Sequence, residues 1–296
     1  MAKKRGPNKT TVRKNVKALR DASKNQSDPF EGLTDAQVLG LMHQRFDVMN
    51  RMGTGCLDGS VRGMIVSGAP GIGKTFNIEK LLKDQRINHP DFRYKVIKGA
   101  VTPINLFKVL QDYGKRGDVV LLDDVDSIFY DDMGIALLKA ALDSGDERWI
   151  TWLSESHALK DDGREYDREF EYKGTIIFIT NTDFQALIDK GTSKLAPHFS
   201  ALMSRSIYLD LKVHTVRSIA IWIYYLVNKE NMLVNKYGLS KDQQKVALQY
   251  IMENRENMRT ISLRDAMKIG QMMKTDPEYW QELADVSLLR DPVYRA

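Results

Sequence analysis

The sequence predicts an α/β protein in which a parallel sheet is followed by a smaller helical domain. Up to residue 211, short apolar segments of strand length alternate with segments of helical spacing. This alternation is typical of a parallel sheet whose strands are joined by right-handed crossovers. From residue 214 onward the apolar residues keep helical spacing throughout, which indicates a separate helical domain.

The predicted strands are short apolar segments. The clearest lies at 119–122, a continuous run of valine and leucine that is typical of a parallel strand covered on both faces. The five predicted sheet strands lie at 63–67, 94–97, 119–122, 175–180 and 207–211. Two further segments, 149–153 and 170–172, could pair as a hairpin.

The predicted helices carry apolar residues three and four positions apart. The first begins at a capping box, Thr34–Gln37, and runs to about Met52. The later helices are predicted at 76–83, 104–112, 134–142, 215–237, 239–254 and 262–274.

The composition limits the class of protein. A chain of 296 residues fits one large domain or two modest ones. Its only cysteine, Cys56, excludes an internal disulfide framework and a cysteine-based zinc site, so a reducing compartment is expected. No apolar run approaches the roughly 18 residues of a membrane span. We therefore predict a cytoplasmic protein with no membrane partner.

The positive charge is concentrated at the N-terminus. Residues 1–27 carry nine lysines and arginines and one acid, a net charge of +8, whereas the whole chain carries +5 and the remainder is therefore at −3. A basic tail poor in apolar residues is expected to be disordered. It could bind the phosphates of a nucleic acid in a salt-sensitive way, or it could serve solubility alone.

Residues 68–75 match G-x-x-x-x-G-K-[ST], the Walker A pattern, between a predicted strand and a predicted helix. Glycines let backbone N–H groups surround a β-phosphate, and the following helix presents free amides and its positive dipole end to the anion. Lys74 can then reach the β- and γ-phosphates, and the Thr75 hydroxyl can bind Mg²⁺. ATP and Mg²⁺ are thus the predicted cofactors. The predicted nucleotide-binding residues are Gly68, Ala69, Pro70, Gly71, Ile72, Gly73, Lys74 and Thr75.

Polar residues follow two of the later strands. Asp123 would hold Mg²⁺ directly or through water, and Asp124 would orient or deprotonate the attacking water. Asn181, after the next buried strand, carries an amide that could bind the water or the γ-phosphate without adding negative charge. Thr75 and Asp123 are therefore the predicted metal ligands.

The order of these motifs over residues 60–275 resembles the AAA+ ATPases, which are P-loop NTPases with a helical lid domain. In this resemblance, residues 119–126 have the Walker B form h-h-h-h-D-[DE]-x-D, and Asn181 is sensor 1. The resemblance implies an α/β nucleotide-binding domain at 28–211 and a lid domain at 212–276. A basic tail at 1–27 and a C-terminal tail at 277–296 flank them.

Two arginine positions also come from the resemblance. Residues 195–205 resemble the segment before the arginine finger, which implies that Arg205 reaches the γ-phosphate bound by a neighbouring subunit. Arg264 resembles the sensor 2 arginine of the lid, although Arg259 is close enough to compete for this role. The predicted catalytic residues are therefore Asp124, Asn181, Arg205 and Arg264.

Two features set the chain apart from many members of that family. Asp124 stands where many of them have glutamate, and its shorter side chain makes slow turnover credible. The segment 149–172 could be a pre-sensor-1 hairpin whose tip projects toward a central pore. The alternative is an ordinary surface loop.

The predicted function is Mg²⁺-dependent ATP hydrolysis by a homo-oligomer, a ring or open ring, coupled to remodelling or loading on DNA. The layout is loosely similar to AAA+ proteins encoded by phages. One alternative is a protein-remodelling chaperone, although residues 98–103 lack the aromatic pore-loop residue typical of such proteins. The other is an ATP-dependent switch or adaptor for a protein partner, with little turnover.

Overall fold

The computed structural model describes most of the chain. The described residues are 30–153, 159–161, 164–191, 194–213 and 215–291. The predicted basic tail at 1–27 lies outside them, as does part of the predicted hairpin tip.

A five-stranded parallel sheet forms the centre of the molecule, which confirms the predicted fold class. The strands are β1 (Gly63–Ser67), β2 (Tyr94–Lys98), β3 (Val119–Asp123), β4 (Trp149–Thr151), β5 (Lys160–Asp161), β6 (Arg164–Glu165), β7 (Glu169–Glu171), β8 (Thr175–Thr180) and β9 (Ile207–Asp210). The sheet has the order β2-β3-β8-β1-β9, and every neighbouring pair is parallel. The carboxyl ends of β1, β3 and β8 therefore lie side by side at one edge.

Helices cover both faces of the sheet. They are α1 (Asp35–Leu57), α2 (Lys74–Asn88), α3 (Pro103–Asp112), α4 (Asp132–Ala141), α5 (Phe184–Asp189), α6 (Ala196–Arg205), α7 (Val216–Lys229), α8 (Met232–Tyr237), α9 (Lys241–Asn254), α10 (Leu263–Thr275) and α11 (Trp280–Leu288). Helix α1 begins at the predicted capping box, where Thr34 and Gln37 exchange side chain–backbone hydrogen bonds. None of the helices in the described part of the chain is long and apolar enough to cross a membrane.

Successive side chains along each strand point to opposite faces of the sheet, so a hydrophobic core lies on each face. In β3, Val119 and Leu121 enter the core that includes α1 and the C-terminal helices. Val120 and Leu122 enter the core that includes α3, α4 and the β4–β7 hairpin. All four side chains are fully buried, and each contributes about 1.5–3 kcal/mol relative to exposure. Because it is covered on both faces, β3 holds the acids at its end in a fixed position.

The C-terminal segment differs from the predicted tail at 277–296 because α11 lies within it. Trp280 and Leu288 of this helix are buried, and the Trp280 ring packs edge-on against Tyr250 at 5.5 Å. The Tyr250 hydroxyl donates a hydrogen bond of 2.6 Å to the buried Asp285. The helical domain therefore continues beyond residue 276.

The segment 149–172 contains a hairpin in which β4 and β7 pair antiparallel, with Ile150 opposite Phe170. Ile150 is buried in the core, so the arms are part of the domain. The described part of the tip lies against α3, because Leu159 is buried and the Tyr166 hydroxyl donates to the Asp112 carboxylate at 3.2 Å. Its orientation toward a pore stays a prediction.

Candidate nucleotide-binding site

The Walker A residues form the loop between β1 and α2. Gly71 and Gly73 have φ values of 72° and 96°, a left-handed conformation that glycine adopts without steric cost. Gly73 is the N-cap of α2, so the first amides of this helix have no intrahelical acceptor and are available to an anion. A Cβ atom on Gly71 would lie 2.6 Å from the Cβ atom of Ser262, so the loop packs closely against the residues that begin α10.

Lys74 lies inside this loop with only 4% of its surface exposed. Its Nζ atom donates to the carbonyl oxygens of Gly68 at 2.7 Å and Ala69 at 2.8 Å, and to Oδ1 of Asn181 at 2.9 Å. Burial lowers the pKa of Lys74 to about 8, although the nearby Asp124 and other carboxylates oppose this shift. All three ammonium protons have acceptors, so contact with a phosphate must replace at least one of these bonds.

Thr75 and Asp123 bring two oxygen ligands together. The Thr75 hydroxyl donates to Oδ1 of the buried Asp123 at 2.8 Å. Adjacent ligands of octahedral Mg²⁺, each about 2.1 Å from the ion, lie about 3 Å apart, so this pair fits the ion. The other carboxylate oxygen of Asp123 lies 3.6 Å from Nζ of Lys98, which also pairs with Glu79 at 2.5 Å.

Asp124 has a constrained backbone at the end of β3. Its φ of 54° is uncommon for a residue other than glycine, and its N–H group donates to the carbonyl of Ile179 at 3.0 Å. Burial, together with the charge of Asp123, raises the pKa of Asp124. Nδ2 of Asn181 donates to Oδ1 of Asp124 at 2.8 Å. Asn181 therefore connects Asp124 to Lys74.

These side chains surround a cavity of about 200 Å³ at the carboxyl edge of the sheet. Its lining includes Lys74, Thr75, Asp124, Asn181 and Arg264. The cavity is thus closed on one side by the Walker A loop and on another by the start of α10.

The two arginines that the sequence left as alternatives for sensor 2 lie in different surroundings. Arg264, the second residue of α10, lines the cavity and lies close enough to Lys74 and Asp124 to affect the pKa values of both. Arg259 instead donates from Nε to the carbonyl of Leu289 at 2.8 Å. Of the two, Arg264 is the one that lines the cavity.

Arg205 lies outside this cavity in its own chain. It is the last residue of α6, where its Nη1 atom donates to the carbonyl of Ala201 at 3.0 Å. Its Nε atom lies 3.5 Å from Oδ1 of Asp143. About a third of the side chain is exposed to solvent. The structure therefore brings together all the predicted site residues except Arg205.

A second cavity, of about 150 Å³, adjoins the first at Gly73 and Phe76. Aromatic side chains from α1 and α7 line it, including His43, Trp222 and Tyr225. The sequence carried no signal for this cavity, because aromatic residues at helical spacing are typical of an ordinary core.

Two polar contacts near the site were also missed. Lys98 ends β2 in register with Asp123, so strand alignment could have indicated the ion pair between them. Asp126 accepts hydrogen bonds from the hydroxyls of Thr180 and Thr182, both at 2.8 Å. That contact depends on β3 and β8 being neighbours, which no local pattern predicts.

The fold and the site define the class of protein. The Walker A strand β1 and the Walker B strand β3 are separated by β8, the strand that precedes Asn181, and a helical domain contacts the Walker A loop. This is the architecture of the AAA+ P-loop proteins, and the resemblance seen in the sequence is confirmed.

No protein-family model matches the chain. The chain belongs to the same family as the uncharacterized 36.7 kDa protein in the nrdC–mobD intergenic region of enterobacteria phage T4. The two are 41% identical over 244 residues, which span 82% of this chain and 73% of the T4 protein.

The chain is also similar to solved structures. A DNA replication initiation factor aligns with 13% identity and a TM-score of 0.44, over 79% of this chain and 60% of that one. A single-residue variant of RuvB from Thermotoga maritima aligns with 14% identity and a TM-score of 0.41, over 78% and 61%. NtrX from Brucella abortus in complex with ADP aligns with 13% identity and a TM-score of 0.43, over 90% and 56%. The chain thus spans less than two thirds of each, and likeness at this level supports no statement about activity, substrate or partner.

Proposed function

We propose that this protein is a Mg²⁺-dependent ATPase that acts as a homo-oligomer, a ring or open ring, and couples hydrolysis to remodelling or loading on DNA. One observation carries the catalytic part of the proposal. Lys74, Asn181 and Asp124 form a continuous hydrogen-bonded chain along the cavity, beside the oxygen pair of Thr75 and Asp123. The residues proposed to bind phosphate, to hold the metal and to act as the base thus lie at one edge of the sheet, which supports the proposal.

In the proposed mechanism, the Walker A amides and the Lys74 ammonium bind the phosphates of ATP. Thr75 and Asp123 would hold Mg²⁺, which would supply positive charge to offset that of the phosphates. Lys74 exchanges its bond to Asn181 for a phosphate oxygen, because its two carbonyl contacts hold the side chain in the loop. Asn181 then has a free carbonyl oxygen at the cavity.

Asp124 is the proposed base. Its raised pKa favours proton uptake from the attacking water, and the Asn181 amide holds the carboxylate in place. Asn181 can bind the water with the oxygen freed from Lys74. Arg264, on the lid side of the cavity, would neutralise charge that develops on the phosphate.

The second cavity is the proposed site of the adenine base. It adjoins the phosphate cavity at Gly73, and its aromatic walls suit a flat heterocycle. His43 and Tyr225 would contact the base from α1 and α7, so the nucleotide would link the sheet domain to the helical domain.

Arg205 is the proposed contact between subunits, because it lies outside the cavity of its own chain. Arg205→Ala is expected to lower ATP hydrolysis by at least about 100-fold, since a guanidinium supplied in trans stabilises transferring phosphate. ADP affinity of the dilute protein should not change. Asp143→Ala, which breaks the same ion pair from the other side, is the matched control and should keep its activity.

A mixing experiment tests whether Arg205 acts in trans. Arg205→Ala subunits and Asp124→Asn subunits are each expected to be inactive alone. Mixed oligomers should recover part of the wild-type activity, because an intact site then meets an intact arginine. No recovery in mixed oligomers, whose formation is checked by light scattering, would contradict a role across the subunit interface.

The charge of the tail supports nucleic acid as the partner. We expect ATP hydrolysis to be stimulated by single-stranded or duplex DNA, and this stimulation to be lost when residues 1–27 are deleted. The nine lysines and arginines of the tail make the effect electrostatic, so it should weaken steeply as salt is raised. Replacing all nine by glutamine at unchanged length is the matched variant and should behave like the deletion.

The same assay separates the alternative functions. Stimulation by an unfolded protein and not by DNA would favour the chaperone. ATP binding and oligomerisation without turnover under any condition would favour the switch.

A further inference from the structure

The helical domain holds two consecutive carbonyl groups of the Walker A loop. The indole N–H of Trp222, on α7, donates to the carbonyl of Ile72 at 2.9 Å. The backbone N–H of Leu263, the first residue of α10, donates to the carbonyl of Gly71 at 2.9 Å. Both donors come from outside the sheet domain and approach the loop from the same domain.

These two bonds also determine where the next amides point. A trans peptide unit is planar, so the carbonyl of one residue and the N–H of the next point in opposite directions. The Trp222 bond therefore orients the N–H of Gly73, and the Leu263 bond orients the N–H of Ile72. Neither amide donates to a protein acceptor within the described part of the chain. Both belong to the predicted phosphate-binding loop.

Trp222 is rigid enough to act in this way. The residue is 2% exposed, and its ring stacks on Phe46 of α1 with centroids 4.2 Å apart. His43 packs edge-on against it at 5.5 Å. Indole has a single hydrogen-bond donor, and here it is used on Ile72.

We infer that Trp222 is a positioning residue for phosphate recognition, acting together with the Leu263 amide. Its N–H holds the Ile72 carbonyl away from the phosphate site, so that the amides of Ile72 and Gly73 are oriented for the anion before it binds. The inference rests on the proposed nucleotide-binding function. It also means that a movement of α7 or α10 changes the affinity of the loop for phosphate.

Trp222→Phe tests the inference because phenylalanine keeps an aromatic ring in the stack and removes the donor together with part of the indole ring. Binding of ADP and of inorganic pyrophosphate, both with Mg²⁺, is measured by titration calorimetry on the full chain. We expect both affinities to fall by the same factor, about tenfold, since a buried carbonyl is left unpaired and the loop loses its fixed orientation. Trp280→Phe makes the same chemical change at a buried position of α11 and should bind as the wild type does.

A second pair of variants isolates the backbone donor. Proline is tolerated at the first position of a helix, and the extended Ser262 before it is compatible with proline. Leu263→Pro should therefore fold. It removes the N–H and the leucine side chain and sets the ring Cδ atom against the Gly71 carbonyl, so the loop loses this bond, whereas Leu263→Ala loses the side chain alone. We expect pyrophosphate affinity to be lower in Leu263→Pro than in Leu263→Ala.

The outcomes are distinct. If Trp222→Phe lowers ADP affinity and leaves pyrophosphate affinity unchanged, Trp222 acts on the base and the inference is wrong. Unchanged affinity for both ligands in Trp222→Phe and in Leu263→Pro would also overturn it. A wild-type protein that binds neither ligand would overturn the proposed function itself.

Discussion

Lys74→Ala is expected to abolish ATP hydrolysis and to weaken ADP binding by about 10- to 100-fold. Hydrogen bonds from a charged group to phosphate are worth about 1.5–3 kcal/mol each, and Lys74 is the buried cation of the loop. Hydrolysis is followed by phosphate release, and affinity by calorimetry. The matched control is Lys83→Ala, which removes a 63%-exposed lysine from the same helix and should leave both quantities unchanged.

The stability of the protein without nucleotide should respond differently. Burial of Lys74 lowers its pKa to about 8, which means that the fold disfavours the charged form. Removing the side chain relieves that desolvation, although it leaves the carbonyls of Gly68 and Ala69 without their donor. We therefore expect the free energy of unfolding to change little, while the stabilisation by ADP in a thermal shift is reduced. A Lys74→Ala protein that retains full ADP stabilisation would exclude the Walker A loop as the phosphate site.

Much of the candidate site could be predicted from the sequence because its residues are tied to the ends of strands. An apolar strand segment precedes the Walker A pattern, another precedes Asp123 and Asp124, and a third precedes Asn181. Parallel strands all end at the same edge of their sheet, so the residues that follow them lie close together. The fold class could be predicted from the alternation of apolar strand segments with helical segments along the chain. Spacing and residue type carry this information locally, without knowledge of the strand order.

What could not be predicted depends on contacts between distant elements. Trp222 lies in an apolar helix, and only the packing of α7 against the loop places its N–H on Ile72. The different positions of Arg259 and Arg264 likewise depend on where α10 begins and on the bond from Arg259 to Leu289.

The C-terminal helix was missed for a related reason. Its burial comes from contacts with Tyr250 and other residues of the helical domain, not from a strong pattern of its own. An isolated helix of this length is marginal in water, so tertiary packing decides whether it forms.

Asp124→Asn is expected to lower ATP hydrolysis by about 100- to 10,000-fold while ATP remains bound. The replacement has nearly the same shape, and its amide oxygen can still accept from Nδ2 of Asn181. It cannot take a proton from water, and general-base catalysis contributes a factor of this size. ATP affinity should be equal or slightly higher, because a negative charge near the phosphates is removed. Single-turnover hydrolysis and calorimetry measure the two effects separately.

Two further variants assign the effect to the charge at this position. Asp124→Glu keeps a carboxylate and should retain hydrolysis, although a φ of 54° is more common for aspartate than for glutamate. Asp126→Asn makes the same chemical change two residues away, on a carboxylate engaged by the Thr180 and Thr182 hydroxyls, and should cost less than about tenfold. If Asp126→Asn were the more damaging change, the base would have to be reassigned. If neither asparagine variant slowed turnover, activation of the water by Asp124 or Asp126 would be excluded.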